Sequence, residues 1–268
     1  MKLDEGQAQP SALTELRQST PARIALGRSG VSLPTTAVLD FAWAHAQARD
    51  AIQTPLDVAA LRMQLESDGW PVIEVESRAP DRAAYLARPD WGRRLSADTA
   101  SRLMAARRPD AEAPDLVIVV SDGLSSIAAQ RHAPSLLMAL RAKLPAPMRW
   151  APIVIARMAR VALADEVGSL LGARLAISLI GERPGLSSPD GLGAYLTYAP
   201  RIGRTDAERN CISNIRPEGL PCSEAAAQLA DLISAAFTAQ ASGLGIFANS
   251  SPAVVRIVDN KGHSSTPG

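Results

Sequence analysis

Asp115-Leu116-Val117-Ile118-Val119-Val120-Ser121-Asp122-Gly123 is the stretch on which the fold turns. Leu116 to Val120 form an unbroken apolar run, four of them β-branched, and the run stops at a Ser-Asp-Gly turn. A strand buried on both faces of a parallel sheet has this composition. Downstream the pattern alternates. A helix is expected over Ser126–Lys143, bent at Pro134, then a strand over Ile153–Ala156, a helix over Ala162–Leu171 and a strand over Leu175–Ile180. Ala194–Tyr198 reads as a further strand, Ser223–Ala239 as a long helix, and Val254–Val258 as an edge strand. Strands and helices in this alternation specify an α/β fold with a doubly wound, mostly parallel, Rossmann-like sheet.

Upstream of Asp115 the texture is helical. Residues 1–20, rich in Gln, Ser and Thr, read as a leader without a fold of its own, in which Leu13 and Leu16 permit a short helical turn. Val38, Leu39, Trp43 and Ala46 recur at helical spacing after Pro34-Thr35-Thr36, and a second helix is expected over Asp57–Ser67. Glu74–Arg94, punctuated by Pro80, Pro89 and Gly92, reads as mostly irregular. Asp98–Arg107 reads as a helix and Pro109–Pro114 as a linker, which divides the chain into a leader (1–20), a helical amino-terminal part (21–113) and an α/β domain (114–268).

Composition narrows the function. The chain has 268 residues, 47% hydrophobic and only 4% aromatic, so its core is built from Ala, Leu, Val and Ile. A net charge of +1, with no block of like charges, argues against nucleic acid or an anionic membrane surface as partner. Two cysteines, Cys211 and Cys222, give neither a disulfide framework nor a Cys-rich zinc site. That cysteine usage points to a reducing cytoplasm, and the acidic start, Met1-Lys2-Leu3-Asp4-Glu5, with no apolar window of membrane-spanning length, is expected neither to export nor to anchor the chain.

Ligands of open parallel sheets bind beyond the carboxyl ends of the strands. Two loops leave such ends. In Ser121-Asp122-Gly123-Leu124-Ser125, Asp122 is either a turn residue or an acceptor for a ligand hydroxyl or amide. Gly181-Glu182-Arg183-Pro184-Gly185 places an ionisable pair in a loop stiffened by Pro184, and the pair reads either as a surface salt bridge or as part of a ligand site. Arg209-Asn210-Cys211-Ile212-Ser213-Asn214-Ile215-Arg216-Pro217 reads as an ordered polar loop crossing the sheet edge. None of His45, His132 and His263 has the context of a catalytic base, so Cys211 reads as a ligand-packing or buried thiol. Gly243-Leu244-Gly245-Ile246-Phe247-Ala248 matches a dinucleotide fingerprint but follows an expected helix, where a strand is required. No His/Cys/Asp/Glu cluster has metal-ligand spacing.

Those same loops carry a likeness. Gly181-Glu182-Arg183-Pro184-Gly185-Leu186, Tyr195-Leu196-Thr197-Tyr198-Ala199-Pro200-Arg201 and Asn210-Cys211-Ile212-Ser213-Asn214-Ile215 resemble the small subunit of ethanolamine ammonia-lyase. Pro21-Ala22-Arg23-Ile24-Ala25-Leu26-Gly27-Arg28 and the stretch from Asp115 to Leu124 are similar too, so the likeness spans about residues 20–240. The resemblance implies adenosylcobalamin bound between this chain and a larger, barrel-shaped subunit, and radical conversion of ethanolamine to acetaldehyde and ammonia. It implies cobalamin contacts at Val161, Glu182 and Cys211, no catalytic acid or base on this chain, and a 114–268 domain that binds cobalamin. Whether the leader directs packaging into a bacterial microcompartment is left open. The residues two before the histidines are Trp43, Gln130 and Lys261, so the Asp-x-His-x-x-Gly motif of a protein ligand to cobalt is lacking and a base-on cofactor is expected. The reading from another class is a free-standing nucleotide-binding α/β module with an interaction role.

Overall fold

A computed structural model describes residues 16–20, 22–106 and 112–248. In chain order the elements are α1 (Thr35–Gln53), α2 (Val58–Ser67), β1 (Val72–Glu76), α3 (Arg82–Ala87), α4 (Ala97–Ala106), β2 (Leu116–Ser121), α5 (Ser126–Lys143) and β3 (Ile153–Arg157). They continue with α6 (Leu163–Leu171), β4 (Leu175–Gly181), β5 (Leu192–Tyr198), β6 (Asn210–Ile215), α7 (Cys222–Ala239) and α8 (Gly245–Ala248). Short 3-10 turns lie at Arg17–Ser19, Trp91–Arg93 and Asp206–Glu208.

The strands form one six-stranded sheet in the order β1-β3-β2-β4-β5-β6. The first four are parallel, while β5 runs antiparallel to β4 and β6 antiparallel to β5. β2 is buried along its whole length, as its apolar run requires. Its alternate residues divide between two cores. Leu116, Ile118 and Val120 join Leu61 and Leu65 of α2, Leu136, Leu137 and Leu140 of α5, and Leu229 and Ile233 of α7. Val117 and Val119 pack on the other face with Leu163 and Val167 of α6 and Leu103 of α4. Each such aliphatic side chain removed from water stabilises the fold by roughly 1.5–3 kcal/mol before the entropy of ordering is subtracted.

Local signals set the helix ends. Asp57 and Asp81 accept from the backbone N–H groups of Ala60 and Ala84 and start α2 and α3, while Gly172 in the left-handed region stops α6. α5 runs continuously through Pro134. No helix among the described residues is long and apolar enough to cross a membrane.

Two expectations need correction. Glu74–Arg94 is not mostly irregular, because it opens on the end of strand β1 and contains α3. Asn210–Ile215 is not a loop but edge strand β6. Both are edge strands with few buried side chains: only Val75 is buried in β1, and only Ile212 and Ile215 in β6. α1 forms where expected, but the face it turns to the body is Ala44, Ala48 and Ala51, and Val38, Leu39 and Trp43 point outward. Most of the expected leader, the start of the Pro109–Pro114 linker and the expected Val254–Val258 strand lie outside the described residues.

Candidate functional site

β2 leads into α5 on one face of the sheet and β3 leads into α6 on the other. Neighbouring strands whose connections diverge leave a crevice at their carboxyl ends. Here the crevice is a cleft of about 600 Å3. Gly123 and Leu124 after β2, Arg160 to Ala162 after β3, and Gly181 to Arg183 after β4 line it, together with Tyr195 and Cys211 on β5 and β6. The apolar core on this face contains no residue of β5 or β6, so the cleft extends over those two strands.

The loops after β2 and β4 are locked together. Leu124 N–H donates to the Gly181 carbonyl at 2.9 Å, and an added Cβ at Gly181 would lie 1.9 Å from the Ser125 carbonyl oxygen. Only glycine tolerates that approach. Asp122 turns away from the cleft: its carboxylate accepts from Ala159 N–H at 3.3 Å and lies 3.5 Å from Arg82 Nη1. Burial pushes its pKa up, with Arg82 and backbone donors opposing. Asp122 is thus a brace between the β2 and β3 loops.

Glu182 is half-buried and does not pair with Arg183. Its N–H donates to Gly191 O at 2.9 Å, and its Oε2 accepts from Asn214 N–H at 3.1 Å across the sheet edge. Its Oε1 lies over Gly193, where a Cβ would come within 2.8 Å of it. The carboxylate is therefore aimed by backbone, with acceptor capacity left over. Tyr195 pairs with Cys211 across β5 and β6, so both side chains share the cleft face. Burial raises the Tyr195 phenol pKa, and the nearby thiol and Glu182 add to the shift. Cys211 presents surface to the cleft, yet the protein packed around its sulfur raises its pKa; Ser213, whose Oγ is 3.2 Å from Sγ, and Tyr195 oppose the shift. Both groups stay protonated near neutrality, which makes Cys211 a packing surface and a poor nucleophile.

A buried ion pair supports this wall. Arg209 donates through both terminal nitrogens to Asp165, in the first turn of α6, at 2.7 Å each, and Nη1 also donates to Thr197 Oγ1 at 2.7 Å. On the opposite wall Arg160 lies 4.2 Å from the centre of the Tyr85 ring and donates to the Tyr85 carbonyl at 3.3 Å, while its Nε is buried with no partner among the described residues. The Tyr85 hydroxyl donates to Ala159 O at 3.1 Å. Arg93 reaches across the mouth to Asp206 at 3.6 Å.

Val161, Glu182 and Cys211, far apart in the chain, thus line one cleft. Tyr195 lies inside one of the motifs that carry the resemblance, and Arg160 adjoins Val161. Tyr85 and Arg93 arrive through long-range packing of the amino-terminal part and leave no local sequence signal. His45 stacks on Phe41 and His132 pairs with Asp190, and neither lines the cleft. The glycine-rich Gly243–Ala248 stretch follows helix α7, so it lacks the strand a dinucleotide site needs.

Comparison with known proteins bears on this geometry. The family model described as ethanolamine ammonia-lyase light chain (EutC) matches residues 10–246. The ethanolamine ammonia-lyase small subunit of Azotobacter vinelandii is 53% identical over 243 residues, covering 90% of each chain. That of Ralstonia nicotianae is 52% identical over 250 residues, covering 90% of this chain and 92% of its own. That of Pseudomonas putida strain W619 is 49% identical over 255 residues, covering 94% and 92%.

Proposed function

This chain belongs to the ethanolamine ammonia-lyase light-chain family, and from that premise we propose that its cleft holds one side of adenosylcobalamin against a large-subunit partner. The observation that carries the reading is the convergence of Val161, Glu182 and Cys211 on a single open cleft at the carboxyl ends of the strands.

The residues fit the group. A corrin bears amides that donate and accept on its rim and an apolar face. Glu182 offers a carboxylate for amide N–H donors, and Arg160 and Arg183 offer donors for amide carbonyls. Arg160 is held against the Tyr85 ring, which fixes its guanidinium on the cleft wall. Val161, Ala162 and the protonated thiol of Cys211 supply apolar contact. A cleft of about 600 Å3 is smaller than the whole cofactor, so the rest of its surface falls to the partner chain.

Adenosylcobalamin, when bound, supplies the radical chemistry that converts ethanolamine to acetaldehyde and ammonia. This chain's part is positioning. The loops joined through Gly181 and Leu124 fix the height of Glu182, the Asn214 N–H fixes its direction, and the Arg209–Asp165 pair fixes β6 beneath the ligand. Neither Tyr195 nor Cys211 gives up a proton near neutrality, so neither adds a negative charge to the wall of the cleft.

The test is reconstitution. The chain combined with the large subunit and adenosylcobalamin is expected to release acetaldehyde from ethanolamine, and the chain alone to release none. Appreciable turnover by the isolated chain, or full turnover by the large subunit alone, contradicts the proposal.

A further inference from the structure

α1 is built inside out for a free-standing protein. A surface helix normally turns its large apolar residues to the core and its small or polar ones to water. α1 touches the body through Ala44, Ala48 and Ala51, while Val38, Leu39, Phe41 and Trp43 are exposed, Leu39 by 62% and Trp43 by 68%. Leu39 and Trp43 are four residues apart and make one stripe; Val38 and Phe41 are three apart and make another. The second stripe forms an apolar groove of about 770 Å3 with Ala22, Leu26, Leu33 and Leu186. Val31 and Leu33, just ahead of the helix, are exposed too. Scattered exposed aliphatics need no explanation, but two apolar stripes on one surface helix, one of them carrying a tryptophan, do.

The patch adjoins the cleft through one loop. Glu182 and Arg183 line the cleft, Leu186 and Ser187 line the groove, and Arg23 Nη2 donates to the Leu186 carbonyl at 3.4 Å. A chain that closes the open side of the cleft therefore continues onto the groove and α1. We propose that the outward face of α1, with Val31 and Leu33, is a docking surface for the large subunit, continuous with the cofactor cleft. The proposal rests on the two-subunit reading above but is independent of which residues touch cobalamin.

The experiment uses the full chain and the large subunit. In the wild-type complex, amide exchange across residues 35–43 is expected to slow at least tenfold relative to the isolated chain. The double variant Leu39→Asp, Trp43→Asp alters exposed positions, so it is expected to keep the wild-type Tm while losing affinity for the large subunit on the order of a hundredfold. Unchanged exchange over 35–43 on complex formation overturns the proposal even if the variant misfolds. So does wild-type coelution by a folded variant. Self-association of the isolated chain that the variant abolishes, with coelution intact, assigns the face to a second copy and also overturns it. A cobalamin titration of the wild-type complex separates the two ideas: protection of α1 without cobalamin binding leaves this inference standing and removes the cofactor reading.

Discussion

Two carboxylates at opposite ends of the sheet are held in opposite ways. At the amino end, Asp115 just before β2 is saturated: Arg149 donates to it through its backbone N–H and Nε at 3.1 Å and through Nη2 at 3.0 Å, and Arg174 Nη1 adds a contact at 3.3 Å. At the carboxyl end, the Glu182 carboxylate accepts from one donor among the described residues, the Asn214 N–H, and has acceptor capacity left over. A saturated charge holds a fold together, whereas an aimed but unsaturated one is ready for a ligand.

Substitutions can break or sharpen that contrast. The largest effect is expected where saturation is complete and dry: Arg209 and Asp165 are each 2% exposed in their side chains, and Arg209→Ala leaves the carboxylate buried alone. A loss of about 3–5 kcal/mol is expected in denaturant unfolding. A loss below about 1 kcal/mol would remove the pair from the scaffold of the cleft. At the amino end the effect is smaller and depends on pH. Hydrogen bonds from Arg149, with burial opposing, hold the Asp115 pKa at about 2, below its unfolded value of about 4. Its contribution is therefore complete above about pH 4 and is lost as pH falls towards 2. Asp115→Asn should cost on the order of 1 kcal/mol near neutrality, given the solvent around its arginines, and flatten the acid limb of the stability curve. An unchanged acid limb would contradict the assignment.

At Glu182 stability should barely move. Glu182→Ala is expected to shift unfolding by less than about 1 kcal/mol while weakening cobalamin binding in the complex by tenfold or more. Cys211→Ala is the mildest change, with an expected loss of only a few-fold in cobalamin affinity, because the thiol offers contact and no charge. Slow alkylation of the free chain by iodoacetamide near neutrality would agree with the raised thiol pKa; rapid alkylation would contradict it.

The same contrast explains what could be read from the sequence. Central strands covered on both faces have no choice but apolar runs, so β2, β3 and β4 were legible, as were the helices between them. The edge strands were not. β1 carries Glu74, bonded to Arg62 at 2.6 Å, and Glu76 beside Arg157, because an edge strand can turn charges to water. β6 buries only Ile212 and Ile215, and its register with β5 is interrupted between Leu192 and Ala194, which blurs the alternation a strand shows. In the site, Glu182 and Cys211 stood out through their motifs. The aim of Glu182 did not, since it depends on a backbone N–H thirty-two residues away and on the missing side chain of Gly193. α1 was legible as a helix, but periodicity says which residues share a face and not whether that face meets the body or a partner.

The most direct test of the account is a cobalamin titration of the assembled complex, comparing Glu182→Ala with Asp115→Asn. Glu182→Ala is expected to weaken cobalamin binding at least tenfold at unchanged Tm, and Asp115→Asn to lower Tm at unchanged cobalamin affinity. Equal cobalamin affinity in the two variants, or a loss confined to Asp115→Asn, would contradict it.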